Sequence, residues 1–178
     1  MSSRSAVAVT TIILAMLTIA QAAPRKQPPQ AAPATAGDKR DRVIAAPGTP
    51  FHGKAYWWAT AQCGGIYYKV GTLYSENAIK AKVVRPDPAA YATLKQSADT
   101  TARTATAFFE AAEHFLIADR KLARDEAVLT YDAVATAAGE RVKSLETSAP
   151  VMKPCPELYQ ACRTAYPQMC NDKAVLTN

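Results

Sequence analysis

Apolar side chains recur three or four residues apart through most of the sequence, which is the spacing of one face of an α-helix. The first predicted helix carries this face at four positions: Cys63, Tyr67, Val70 and Tyr74. Thr49 offers an N-cap oxygen and Pro50 suits the first helical turn, so the helix is expected to begin there. It is expected to end near Ala81, and the glycines within it indicate close helix packing or a kink.

The second predicted helix carries the longest apolar face in the sequence. Its positions alternate four and three residues apart: Ala98, Ala102, Ala105, Phe109, Ala112 and Leu116. Asp87 is a good N-cap for a helix whose first residue is Pro88, and this helix is expected to end near Ala118. Since most of these side chains are small, the face favours the close approach of a neighbouring helix.

A helical hairpin is expected at Leu122 and Ala123, because one continuous helix of about 60 residues is improbable in a small domain. The third helix then runs from about Arg124 to Leu145, with two acidic residues in its first turn that favour the helix dipole. The proline-containing segment 148–150 is expected to end this region.

The fourth predicted helix is short, beginning at Cys155 and stopping at Pro167. No convincing pair of strands accompanies the helices. The sequence therefore predicts an all-α fold, a small antiparallel bundle of three long helices and one short C-terminal helix that is stapled by disulfides.

The first 22 residues show the order of features found in a secretory signal peptide. Arg4 is the only charged residue before residue 25, residues 6–19 are apolar, and Ala20-Gln21-Ala22 offers a small-x-small cleavage site. The apolar run is short for a membrane span, which needs about 20 residues. We therefore expect cleavage after Ala22, no transmembrane span after cleavage, and a periplasmic or secreted protein. A retained membrane anchor is the alternative.

Residues 23–48 are rich in proline, alanine and glutamine, so they offer too little apolar surface to fold by themselves. We expect a disordered linker over 23–48, the helical domain over 49–170 and a flexible tail over 171–178.

Positive charge is concentrated in this linker rather than in the helical domain. Residues 23–50 contain five basic and two acidic residues, whereas residues 51–178 contain fifteen and thirteen. The nearly balanced domain argues against a nucleic-acid-binding surface, which needs a concentrated basic face. The basic linker is suited to contact with anionic lipid or a cell-wall polymer, although a solvated spacer is the plainer interpretation.

Four cysteines in an exported chain predict two structural disulfides. They are Cys63, Cys155, Cys162 and Cys170, and the sequence allows three pairings. We favour Cys63–Cys162 with Cys155–Cys170, because Cys63 and Cys162 lie on the apolar faces of the first and last helices. Cys63–Cys155 with Cys162–Cys170 is the next alternative. The intervals form none of the CxxC motifs of zinc, redox or haem sites.

The sequence contains no catalytic, metal or cofactor motif. His114 follows Glu110 and Glu113, but the offsets differ from the Glu-x-x-His of di-metal helical bundles. The patterns of serine hydrolases and zinc proteases are absent, as are glycine-rich phosphate loops. Two pairs of acidic residues lie on helices, Asp125 with Glu126 and Asp132 with Glu140, and acids in a first helical turn usually give electrostatic support. A glycosidase pair is the alternative, and it would need to face across a cleft. We therefore predict no catalytic residue, no metal ligand and no cofactor.

The most unusual local feature is a cluster of aromatic residues in the first helix. It consists of Trp57, Trp58, Tyr67 and Tyr68. Such side chains commonly fill a core; the functional interpretation is a contact site for a lipid, glycan or peptide. Tyr68 and Trp57 lie off the face that carries Cys63, which makes them the first candidates for ligand contact.

Three functions fit these features. We expect a non-catalytic periplasmic or secreted module that binds an envelope protein, a lipid or a cell-wall polymer. The alternatives are a carrier with an apolar pocket near the aromatic cluster, and a hydrolase or inhibitor acting on the cell wall. The stretches QCGGIYYKVG and PELYQACRTAY resemble the short, alanine-rich, exported helical proteins of Gram-negative bacteria, a resemblance of style that implies no particular activity.

Overall fold

The computed structural model describes residues 38–84 and 86–171, which form five α-helices. The helices are α1 (Tyr56–Val83), α2 (Pro88–Arg120), α3 (Arg124–Gly139), α4 (Ser148–Met152) and α5 (Cys155–Ala165). Within these residues the only β-type pairing is an isolated bridge between Val43 and Ala55. The predicted all-α fold is therefore confirmed. The predicted signal peptide, residues 23–37 and the tail from residue 172 lie outside the described residues.

None of the five helices combines the length and the apolar character that crossing a lipid bilayer requires. The longest two, α1 and α2, run in opposite directions: Gly64 lies against Phe109, whereas Gly71 lies against Thr101. Helix α3 packs on both of them, since Gly65 of α1 meets Ala135 and Tyr131 stacks on Phe109 of α2. The two short helices pack against α1.

Helix α1 begins at Tyr56, later than the predicted start at Thr49. Gly53 has a φ angle of +72°, which belongs to the left-handed region and interrupts any helix through this position. The backbone N–H of Gly53 donates to the carbonyl of Ile44 at 2.9 Å, so the segment folds back on the chain before it. The predicted start of the helix was wrong because the hydrogen bond from Gly53 to Ile44 is a contact between two segments rather than a local preference of the sequence.

The first described residues, 38–48, belong to the segment for which the sequence predicts a disordered linker. Ile44 is only 2% exposed and packs in the core. Asp41 is buried against α1 and α2. The folded domain therefore includes residues upstream of the predicted boundary at residue 49.

Helix α2 begins as the sequence predicts. The Asp87 side chain accepts a hydrogen bond from the backbone N–H of Ala90 at 3.0 Å, and Pro88 is the first helical residue. Phe108 and Phe115 are fully buried and widen the buried face beyond the seam of alternating four-three spacing. Ala102, predicted on that seam, is exposed, whereas its neighbour Thr101 is buried against Gly71 of α1.

The predicted hairpin after α2 is confirmed. Lys121 adopts a left-handed conformation with φ of 59°, which ends α2, and Ala123 is the N-cap of α3. The backbone N–H of Ala123 donates to a carboxylate oxygen of Glu126 at 3.3 Å, which is one half of a capping box. Helix α3 ends at Gly139, six residues before the predicted Leu145.

Two features of the C-terminal region differ from the prediction. Residues 148–150, expected to end the helical region, begin the short helix α4. The cysteines pair as Cys63–Cys155 and Cys162–Cys170, so the favoured pairing is wrong and the next alternative is right. The reason is a turn after α5, in which the N–H of Cys170 donates to the carbonyl of Tyr166 at 3.2 Å and returns the chain to Cys162.

Candidate functional site

An open cleft lies where α1, α2 and α3 meet, and we call it the α1–α3 cleft. Its volume is about 330 Å³. It is lined by Gly65, Tyr68, Lys69, Phe109, Asp132, Ala135, Thr136 and Gly139. Glycine and alanine form most of its floor, and the larger side chains stand around it. The cleft falls at the lower end of the size range of ligand pockets, about 300–1,000 Å³.

The floor of the α1–α3 cleft exists because two helix backbones touch. A Cβ atom placed on Gly65 would lie 1.9 Å from the carbonyl oxygen of Ala135. On the opposite helix, a Cβ atom on Gly139 would lie 3.0 Å from the carbonyl oxygen of Gly65. Glycine at these positions therefore sets the close crossing of α1 and α3, and with it the shape of the cleft.

Replacing Gly65 by alanine should lower the free energy of unfolding by about 2 kcal/mol, since overpacking against a backbone atom forces α3 to move. Chemical denaturation measures the loss. Gly71→Ala is the matched control in the same helix, because its Cβ would meet the Thr101 hydroxyl oxygen at 2.9 Å but no backbone atom closer than 3.6 Å, so a smaller loss is expected. The gain in helix propensity offsets part of this crowding. Equal losses in the two variants would contradict the role of the Gly65 crossing.

The walls of the cleft combine aromatic and charged groups. Tyr68 is 63% exposed, so its ring is open to solvent and to a ligand. Phe109 is held in place by stacking on Tyr131, with 5.4 Å between the ring centres. Neither Lys69 nor Asp132 forms an ion pair with any residue that the structure describes. The cleft thus offers an aromatic face, a cation, an anion and the hydroxyl of Thr136.

The structure separates the four aromatic residues that the sequence singles out. Trp57 is 1% exposed and lies within the core. Tyr67 stacks on Phe108 at 5.6 Å, and its burial raises the pKa of its hydroxyl. Trp58 is half-buried beneath the ammonium of Lys54. Of these four residues, only Tyr68 lines the α1–α3 cleft.

Two further cleft residues, Phe109 and Asp132, were not identified as ligand contacts from the sequence. The helical spacing assigned Phe109 to a buried seam, and Asp132 was considered only as one member of an acidic pair with Glu140. The one signal in the sequence that bears on them is the presence of Gly64-Gly65 and Gly139, which indicates a close helix crossing. Which side chains surround that crossing depends on the register of α3, and the sequence pattern does not specify it.

The other polar candidates do not converge on a site. The His114 ring lies at the surface with Nδ1 3.3 Å from the carbonyl oxygen of Met169, and Glu113 pairs with Arg124 at 2.9 Å. Glu140 is exposed beyond the end of α3, apart from Asp132 in the cleft. Over residues 38–84 and 86–171, no group of three histidine, cysteine or acidic side chains is arranged to hold a metal ion.

A second group of polar side chains fastens the N-terminal segment to α1 and α2. The Asp41 carboxylate accepts hydrogen bonds from the Arg120 guanidinium at 2.8 Å and 2.6 Å and from Trp57 Nε1 at 3.0 Å. The hydrogen bonds to Asp41 raise the pKa of Arg120. Because both oxygens of this buried carboxylate are used within the chain, the group serves to hold the structure together.

Arg42 extends the same attachment. Its backbone N–H donates to Asp119 at 3.0 Å, and its guanidinium carbon lies 5.2 Å from the ring centre of Tyr166 and 5.9 Å from that of Phe115. Its Nη1 atom is buried without a hydrogen-bond partner among the described residues. The aromatic faces compensate part of the lost hydration by cation–π interaction.

Comparison of the chain with protein-family models, curated proteins and solved structures finds no match. A functional assignment therefore depends on the chemistry of the α1–α3 cleft and on the exposed surfaces. The cleft is a concave site that Tyr68 of α1 helps to line. Its side chains can bind and orient a ligand, and they place a single carboxylate, that of Asp132, beside it.

Proposed function

We propose that this chain is an exported, non-catalytic binding module, and that the α1–α3 cleft binds a sugar ring of a cell-wall glycan. The observation that carries the proposal is the exposed ring of Tyr68 above a glycine floor, beside two charged side chains that are unpaired within the described residues. An aromatic face packs against the C–H surface of a sugar. Lys69, Asp132 and Thr136 offer the donors and acceptors that sugar hydroxyl groups require.

The size and openness of the cleft favour a sugar over the other ligand classes considered. A volume of about 330 Å³ suits one or two small rings rather than a long acyl chain. A carrier for an apolar ligand needs a cavity beside the aromatic cluster, and there Trp57 and Tyr67 are packed against other side chains. A glycoside hydrolase needs two carboxyl groups flanking the bond, whereas Asp132 is the one acidic residue among the described cleft residues.

The proposed location outside the cytoplasm has two supports. The first 22 residues have the features of a cleaved signal peptide. The two disulfides are compatible with an oxidising compartment, where such bonds form and persist. In that location a cell-wall polymer is a ligand within reach.

Titration with the disaccharide of N-acetylglucosamine and N-acetylmuramic acid tests the proposal by two-dimensional NMR. We expect shift changes at Tyr68, Phe109 and Thr136. Tyr68→Ala should weaken binding by about tenfold, since an aromatic contact is worth about 1.5 kcal/mol. Tyr91→Ala, in the first turn of α2, is the matched control and should bind as the unsubstituted chain does.

Asp132 provides a second, independent variant at the same site. Asp132→Ala should weaken binding, because the cleft loses its carboxylate acceptor, whereas Asp125→Ala in the first turn of the same helix should not. The proposal fails if the shift changes lie elsewhere on the surface, or if Tyr68→Ala and Asp132→Ala both bind the disaccharide normally.

A further inference from the structure

The α1–α2 hairpin continues well beyond the end of α3. The last residue of α3, Gly139, packs at the level of Gly65 and Lys69 on α1. From Lys69 to Val83, α1 extends for a further 14 residues, which is about 21 Å at 1.5 Å per residue. Along this length the two helices pack on each other through small side chains, such as the buried Ala78 and Ala98.

The end of this hairpin exposes aliphatic side chains. Ile79 is 62% exposed, Val83 is 70% exposed and Val84 is 71% exposed. We call these three residues the aliphatic tip. Ile79 and Val83 are four residues apart, so they lie on one face of the helix. The other large hydrophobic side chains that are exposed in the described residues are spread over three places: Val43, Tyr68, and Val128 with Leu129 on α3.

Basic residues are close to the aliphatic tip in the sequence. Lys80 and Lys82 are exposed in the last turn of α1, and Arg85 follows in the sequence. Between residues 79 and 94 the only acidic residue is Asp87, and its carboxylate is engaged as the N-cap of α2. The tip therefore combines aliphatic groups with a local excess of positive charge.

A cavity of about 610 Å³ opens beside the aliphatic tip. It is lined by Lys80, Ala81, Val84, Asp87 and Ala90. Its walls are mostly aliphatic, and Lys80 provides a cation at the same place. Tyr91 lies close by, with the Lys82 ammonium 5.5 Å from the centre of its ring. Tyrosine is enriched where the hydrocarbon and the headgroups of a bilayer meet.

We propose that the aliphatic tip docks on the surface of a bilayer that contains anionic phospholipids. Lys80 and Lys82 match the negative charge of the headgroups, and the valine side chains enter the boundary between headgroups and acyl chains. A stable protein interface buries about 800 Å² on each partner, which is much more than three side chains supply. A bilayer requires no shape-matched surface, and a projecting hairpin reaches it without steric conflict from the rest of the domain.

Co-sedimentation with vesicles tests this proposal, using the chain from Ala23 onward. Vesicles of phosphatidylcholine with phosphatidylglycerol should bind the protein, and binding should weaken as salt is added. Vesicles of phosphatidylcholine alone should bind it far less. Lys80→Gln with Lys82→Gln should weaken binding to the anionic vesicles by about 30-fold, since each lysine near such a surface contributes about 1 kcal/mol.

A second double variant tests the aliphatic tip itself. Val83→Ser with Val84→Ser should weaken binding at least about tenfold, because the exposed side chains lose their apolar contact with the bilayer. Val128→Ser with Leu129→Ser on α3 is the matched control, and Lys143→Gln with Lys153→Gln is the control for charge. All variants keep the same basic residues before residue 43, so any difference between them reports on the tip.

Four results would overturn the proposal. The first is that the variants at the tip bind anionic vesicles as well as the unsubstituted chain does. The second is that the control pairs lose as much binding as the pairs at the tip. The third is that neutral vesicles bind the protein equally well. Sedimentation equilibrium tests whether the aliphatic tip instead binds a second copy of the chain. A dimer that dissociates in Val83→Ser with Val84→Ser, without vesicle binding, would also overturn it. Tyr68→Ala leaves the tip intact and should bind vesicles normally.

Discussion

Replacing Cys63 and Cys155 together by alanine should lower the free energy of unfolding by about 4–5 kcal/mol. This disulfide joins the first half of α1 to the first residue of α5 across a sequence separation of 92 residues. Without it the unfolded chain gains the entropy of a very long open loop, and the folded chain keeps its other contacts. Urea denaturation followed by circular dichroism measures the change, with the free energy taken by linear extrapolation.

The second disulfide provides the matched control. Cys162 and Cys170 are eight residues apart, so their replacement by alanine should cost only about 2–3 kcal/mol. Both disulfides are buried and both variants remove two sulfur atoms, so the difference reports mainly on the length of the loop. Equal losses in the two double variants would show that loop entropy is not what the longer disulfide contributes.

The stability that the two disulfides contribute indicates the kind of compartment in which the protein folds. Losing both disulfides would cost about 7 kcal/mol, which is comparable with the whole stability of a typical domain, about 5–15 kcal/mol. In a reducing compartment the domain would therefore be marginally stable. The disulfides and the signal-like N-terminus thus favour the same proposal, that the chain folds after export.

Local chemistry explains which helix ends were predicted correctly. The start of α2 depends on Asp87 and Pro88, which act on their immediate neighbours. The helix begins at Pro88, as the sequence predicts. The break after α2 likewise follows from the residues around Ala123. The start of α1 depends instead on Gly53 pairing back with Ile44, a contact that no local pattern specifies.

The same distinction applies to the cysteines and to the site. The pairing of Cys162 with Cys170 follows from a turn at Tyr166 that has no clear signature in the sequence. Tyr68 was identified because it lies off the buried face of α1, a property of one helix. Asp132 joins Tyr68 only because α3 crosses α1 at Gly65, and the register of two helices is a tertiary property.

Replacing Asp41 by alanine should lower the free energy of unfolding by about 3–5 kcal/mol, because it leaves a buried guanidinium and an indole N–H without their carboxylate acceptor. The side chains of Asp41 and Arg120 are only 1% and 12% exposed. Asp38→Ala is the matched control, since Asp38 pairs with Arg40 at the surface. The free energy of unfolding of this variant should hardly change. Thermal and urea unfolding of the two variants measure this contrast. A stable Asp41→Ala variant would show that residues 38–44 are held by Ile44 and its apolar contacts, with the buried ion pair adding nothing.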